Sequence, residues 1–288
     1  MGKAKEIVRR VELLGAAADL VTTEDVLAFI DEAAASGRKG VVANQNLHSL
    51  YLSRKDPEMA AFFDLANLIE IDSMPMVLWG RLMGLETKPA NRCTYLDWRD
   101  QFWAMASAKG WRIFCLGAEP GVADEAARRL QLEWPGIEIA THHGYFDQAD
   151  GSAENAAVVE QINAFRPDVV LVGMGMPLQE RWIGRNFHAL TSGVLLSVGA
   201  AFDYEAGIQP AAPRLLGLLC IEWLYRLVCD PRRLGRRYLI EPWALAPAAF
   251  GDIVKFVISP QRRHAEGRLH HIWRPDLASA EMSMIATA

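Results

Sequence analysis

Six short apolar runs punctuate the chain, each bounded by a turn signal: Gly40–Asn44, Asn67–Ile71, Arg112–Gly117, Glu138–Thr141, Asp168–Gly173 and Val194–Gly199. They have the length and composition of buried strands. Between most of them apolar residues recur at helical spacing, over Thr23–Ser36, Leu47–Leu65, Leu96–Lys109, Gly121–Trp134, Ala153–Ala164 and Gln179–Leu190. Thr22 or Thr23, followed by Glu24 and Asp25, supplies a cap and an acidic first turn for the first helix. Alternating strands and helices predict a parallel sheet covered on both faces, an α/β, Rossmann-like doubly wound fold. No internal repeat is visible.

Two of the strands end in glycines and then in polar groups that a plain core does not need. VVLVGMG runs into GMGMPLQERW (Gly173–Trp182), and the next strand into VGAAFDYEAG (Val198–Gly207). Pro177 suits the first turn of a helix, with Gln179 and Glu180 in the same turn. A helix start at the carboxyl end of a parallel strand is where open α/β sheets bind ligands. The plainer reading is a strand–turn–helix with a solvated first turn. IEIDSMP puts Asp72 just past another strand end; a lone acid there is commonly a cap or turn former. Asn44 and Asn46 follow the first strand, where each can hydrogen-bond a ligand or cap the next helix.

Near Pro210 the pattern changes. From Arg214 to Arg237 six arginines (Arg214, Arg226, Arg232, Arg233, Arg236, Arg237) stand against two acids, Glu222 and Asp230, with leucines and Trp223 between them. On a chain of net charge −5 this local excess stands out. It reads either as a docked helix with a solvated basic face or as an amphipathic appendage for anionic lipid and diphosphate. The implied division is a core over residues 1–213 and a helical, basic, membrane-associating appendage with its tail over 214–288.

Composition narrows the classes. A chain of 288 residues, 51% hydrophobic, is expected to fold as one large domain plus an appendage. The negative charge argues against nucleic-acid binding. Four cysteines without C-x-x-C spacing point to a reduced compartment, with Cys115 a buried thiol in a strand. The N-terminus lacks the pattern of a signal peptide, and no apolar run reaches the roughly 18 residues of a membrane span.

Taken in order, G-x-G-x-P-x-Q-E-x-W (Gly173–Trp182), V-G-A-A-F-D (Val198–Asp203), E-W-L-Y-R-L (Glu222–Leu227) and P-R-R-L-x-R-R-Y (Pro231–Tyr238) resemble the WecG/TagA/CpsF glycosyltransferases, glycosyltransferase family 26. PGVADEAARRL (Pro120–Leu130) and HHGYF (His142–Phe146) fit upstream, so the likeness runs from about Val41 to Tyr238. It implies an inverting enzyme that moves a sugar from a UDP-sugar to a polyprenyl-diphosphate-linked acceptor, peripheral on the inner face of the cell membrane, with no cofactor.

By the same resemblance Asp72 is the catalytic base. Asn44, Asn46, Arg92, Gly175, Pro177, Gln179, Glu180, Gly199, Phe202 and Asp203 bind donor or acceptor. Arg226, Arg232, Arg233, Arg236 and Arg237 serve diphosphate and membrane. Several positions depart from the family pattern: Asn44 replaces a threonine, Ser73 and Tyr95 replace glycines, Ala211-Ala212-Pro213 stands for R-A-P, and Cys220 replaces the glycine of G-L-E-W. The first three tilt the expectation toward an exopolysaccharide enzyme using a hexose or hexuronic acid.

Metal is not expected. There is no D-x-D pair, and His142 and His143 are adjacent and cannot share one site from a strand. Leaving-group charge then falls to arginines and helix N-termini. Two other classes compete: a non-catalytic nucleotide- or lipid-binding partner, and an NAD(P)-dependent oxidoreductase. The second is weakened by Leu178, which stands where G-x-G-x-x-G needs its third glycine.

Overall fold

The computed structural model describes residues 7–210, 216, 221–259 and 267–273. The chain opens with a hairpin that the periodicity did not predict, β1 (Ile7–Leu13) and β2 (Ala16–Asp19). Asp19 is buried and accepts two hydrogen bonds from Arg10 at 2.7 Å each, so its charge is paired within the hairpin. Helix α1 (Thr23–Ser36) follows, with Thr22 as the expected cap and Asp25 of the acidic first turn bonding back to it.

The central sheet has six parallel strands: β3 (Gly40–Gln45), β4 (Leu68–Ile71), β5 (Arg112–Gly117), β6 (Glu138–His142), β7 (Val169–Gly173) and β8 (Val194–Ser197). Their order is β4-β3-β8-β7-β5-β6. Side chains alternate across it as the pleat requires. Ile113 and Cys115 face a core with Phe29 of α1 and Trp98, Phe102 and Trp103 of α5 (Tyr95–Lys109). Phe114 and Leu116 face the opposite core. That second core is built by α3 (Pro57–Leu65), α7 (Ala153–Phe165) and α8 (Leu178–Asn186). The sheet is thus covered on both faces, as the alternation of elements predicts.

Two helix expectations change. The span Leu47–Leu65 is broken into α2 (Leu47–Ser53) and α3, because Asp56 caps Glu58 and Met59 and Pro57 opens a new first turn. Helix α4 (Met74–Leu82) was not expected at all. Helices α6 (Val122–Glu133) and α9 (Ala201–Glu205) complete the core.

Beyond residue 220 come α10 (Glu222–Cys229), α11 (Pro231–Leu239), a 3-10 turn at Glu241–Leu245, α12 (Ala246–Ile258) and β9 (Arg268–His271). The expectation that every core-burying element lies before residue 214 is corrected here. Strand β9 pairs antiparallel with β1, Ile272 is buried in the α1–α5 core, and Asn67 donates to its carbonyl at 2.7 Å. Leu245 and Asp252 are buried too, and Asp252 accepts from the Leu14 amide at 3.0 Å. Among the described residues no helix is long and apolar enough to cross a membrane. Arg214 and Cys220 lie outside the described residues, as do Ala211, Ala212 and Pro213.

Candidate active site

The carboxyl edge of the sheet opens on a cavity of about 790 Å³. Backbones crowd at its floor. A Cβ at Gly117 would lie 2.2 Å from the Gly173 carbonyl oxygen, and one at Gly173 would meet Gly199 O at 2.7 Å and the Phe202 ring at 2.8 Å. Only glycine lets these three strand ends approach so closely. Phe202 is therefore core packing against Gly173, 1% exposed and off the cavity wall.

Gln179 organises the two glycine loops. Its Oε1 accepts from the amides of Gly175 and Gly199, both at 3.1 Å, and its Nε2 donates to Glu180 Oε1 at 2.7 Å. Gly175, Gly199 and Gln179 line the cavity together with Asp203; Pro177 and Glu180 do not. Pro177 follows a cis peptide bond and caps α8 instead of entering its first turn. Glu180 is fully buried with Oε2 unpaired, and burial pushes its carboxyl up to about 7 against the lowering effect of the Gln179 hydrogen bond.

At the β3–β4 side, Asn46 caps the next helix, one of its two expected parts, and its side chain also reaches Asp72. Its Oδ1 caps α2 through the amides of His48 and Ser49 at 3.0 Å, and its Nδ2 lies 3.4 Å from Asp72 Oδ2. Asn44 donates to the Ser197 carbonyl, while its buried Oδ1 has no hydrogen-bond partner. Burial pushes the Asp72 carboxyl up to about 6; Arg226, Arg237 and Arg92 pull it down, and Glu222 adds to the rise. Glu70, two residues earlier, is pushed well above the usual carboxylate range by burial and by Asp72.

A second cavity, about 330 Å³, lies on the other side of Asp72. Asn46, Asp72, Arg226, Arg237 and Tyr238 belong to the walls of both. Arg92 lines only the smaller one. It grips Asp97 with bonds of 3.0 and 3.2 Å and reaches Glu222 at 3.2 Å, and Glu222 pairs in turn with Arg226 at 2.7 Å, i to i+4. This chain of charges joins α5 of the core to α10. His48 makes a second link, its Nδ1 2.6 Å from Glu241 Oε2. Burial and Arg237 lower the His48 pKa, opposed by Glu241. Arg232 and Arg236 are exposed and off both walls, and the Arg233 side chain lies outside the described residues.

A family model described as "Glycosyl transferase WecG/TagA/CpsF family" matches residues 11–256. The chain belongs to the WecG/TagA/CpsF family. It is accordingly a glycosyltransferase, as the sequence motifs implied. Relatives include the N-acetylglucosaminyldiphosphoundecaprenol N-acetyl-beta-D-mannosaminyltransferases of Staphylococcus aureus strains NCTC 8325 and COL. Each is 33% identical over 208 residues, covering 69% of this chain and 79% of the relative.

Within the family motifs, the fold brings Asp72, Asn44, Asn46, Gly175, Gln179, Gly199, Asp203, Arg226 and Arg237 to one connected pair of cavities. His48 and Glu241 were not foreseen, since they are 193 positions apart and each looks ordinary alone. Tyr145 of HHGYF and Tyr238 of the arginine motif also reach the walls, and only the resemblance marked their segments. Among the described residues no three His, Cys, Asp or Glu side chains gather in a way that could hold a metal ion.

Proposed function

We propose that this glycosyltransferase moves a hexose derivative, with inversion, from a UDP-sugar to a saccharide carried on polyprenyl diphosphate. The single observation that carries the reading is Asp72, a carboxylate raised to about 6 on the shared wall of two cavities. A donor in the larger cavity and an acceptor in the smaller one would meet at this group. Asp72 takes the proton of the acceptor hydroxyl as its oxygen bonds to the anomeric carbon; the sugar–phosphate bond breaks on the opposite face and UDP leaves. A base with a pKa near the working pH is suited to this transfer.

Arg226 and Arg237, on both walls, are the groups we assign to diphosphate charge. Arg237 Nε is buried without a hydrogen-bond partner, and so is Asn44 Oδ1. Buried polar atoms are ordinarily paired, which supports ligand contact at both positions. Reaction without metal and a station on the inner face of the membrane belong to the same proposal. The relatives' names specify N-acetylmannosamine transfer to N-acetylglucosaminyl-diphosphoundecaprenol. The test is UDP release with that acceptor or a short-chain analogue, over UDP-linked N-acetylmannosamine, its uronic acid, glucose and glucuronic acid, with EDTA present. Release of UDP dependent on one donor and indifferent to EDTA is expected. No release with any donor, or release that needs Mg²⁺ or Mn²⁺, would overturn the corresponding part.

A further inference from the structure

Helix α12 is inside out for a protein in water. Its buried face carries Asp252, which accepts from the Leu14 amide and from Trp79 Nε1, both at 3.0 Å. Its outward face carries Phe250, Ile253 and Val257, and Trp243 of the preceding 3-10 turn is 79% exposed. A helix on a globular surface puts its apolar stripe inward. The bond from Trp79 also fixes α4 beside α12, and α4 adds the exposed side chains of Leu78 and Leu82. Scattered exposed hydrophobics need no explanation, but six on three adjoining elements do.

We infer that this α4–α12 face inserts shallowly into the lipid bilayer and aims the smaller cavity at it. The inference deepens the proposed membrane station and extends apolar contact beyond the arginine helices that the motifs pointed to, where Leu224, Val228 and Leu239 are exposed too. Three features select a bilayer as the occupant. The face adjoins the smaller cavity at two points, since Met74 and Pro75 of α4 and Pro242 beside Trp243 line that cavity. Exposed cations flank it, Arg81 on α4 and Arg232 and Arg236 on α11. Apolar side chains beside basic ones are the signature of an interfacial helix on anionic lipid.

The test is flotation of the full chain with phosphatidylglycerol–phosphatidylethanolamine vesicles. Phe250→Glu with Val257→Glu should lower partition at least about tenfold. It should leave Tm and transfer to a short-chain acceptor unchanged. Leu132→Glu, an equally exposed leucine on α6 at 72%, should change nothing. If transfer is absent from the wild type but partition follows the pattern above, the enzymatic reading fails and this one stands. Partition unchanged in the double variant would overturn the inference. So would complete release of the wild type by 0.5 M NaCl, which would leave only charge. Sedimentation as a dimer that the double variant splits would assign the face to a second copy instead.

Discussion

The two walls of the site are built by different means. The strand-end wall is held by backbone and by neutral side chains: three glycines in contact, one glutamine amide spanning two loops, and an asparagine cap. The helical wall, α10 and α11, is held by side chains, through the ion pair of Arg92 with Glu222 and, just past α11, the contact of His48 with Glu241. The strand-end wall belongs to the backbone of the sheet itself, where a buried amide left unpaired costs about 1–3 kcal/mol, whereas the helical wall is linked to the core through partly buried side-chain contacts. The first wall is therefore rigid and the second detachable. Damage to the first should reach donor binding and folding together; cutting a link of the second should reach the acceptor, while loss of its Arg226 or Arg237 should reach the diphosphate as well.

The largest expected effect belongs to neither wall. Asp72→Asn should lower kcat by about 10³-fold, the middle of the range for loss of a general base, with UDP affinity kept. The wild-type rate should rise with pH through an inflection near 6 and then level, because the base works only when ionised. Near-normal turnover of the asparagine variant would remove Asp72 from the mechanism.

Gln179→Ala comes next. It orphans the Gly175 and Gly199 amides at once, so we expect stability to fall by about 1–3 kcal/mol and donor affinity about tenfold or more. Calorimetry with UDP measures both. Full donor affinity in a destabilised variant would limit Gln179 to folding.

For the detachable wall, Glu222→Ala cuts the link to Arg92 and should reduce kcat/KM for the acceptor several-fold to about tenfold, with donor affinity and Tm nearly constant. A parallel loss of donor affinity would erase the distinction between the walls.

The last effect is on stability alone. The Glu180 carboxyl is about 7 in the fold and about 4.5 in the unfolded chain, so the folded state binds the proton more tightly. Its contribution is present in full below pH 4.5 and is lost as pH rises through 7. Between pH 5 and pH 8, Glu180→Gln should gain about 2–3 kcal/mol relative to the wild type, seen in denaturant midpoints. A pH-independent difference would contradict the burial argument.

The six sheet strands were legible because each is buried on both faces and so reads as a continuous apolar run. The hairpin β1–β2 was not: Arg9 and Arg10 interrupt it, and its buried Asp19 makes sense only once Arg10 is across from it. Asp72, Asn46 and Gln179 could be named in advance since they follow strand ends within short motifs. The roles of Phe202 and Glu180 could not. Both sit in those motifs, yet one fills the space over Gly173 and the other lies buried behind Gln179. Helix α12 was opaque for a further reason. Its composition is that of any core helix, and only the fold shows which side faces out.

The return of β9 to β1 changes what the appendage is. Because Ile272 and Asp252 sit in the core, α10 and α11 are an excursion anchored at both ends, not a free arm. Its two side-chain contacts to the core form as intramolecular events, at the high effective concentration that a tether at each end imposes. Contacts that are modest one by one then suffice to hold the wall in place. A cut after residue 213 would remove the second anchor as well as the arginines, so it would report on folding before it reported on catalysis.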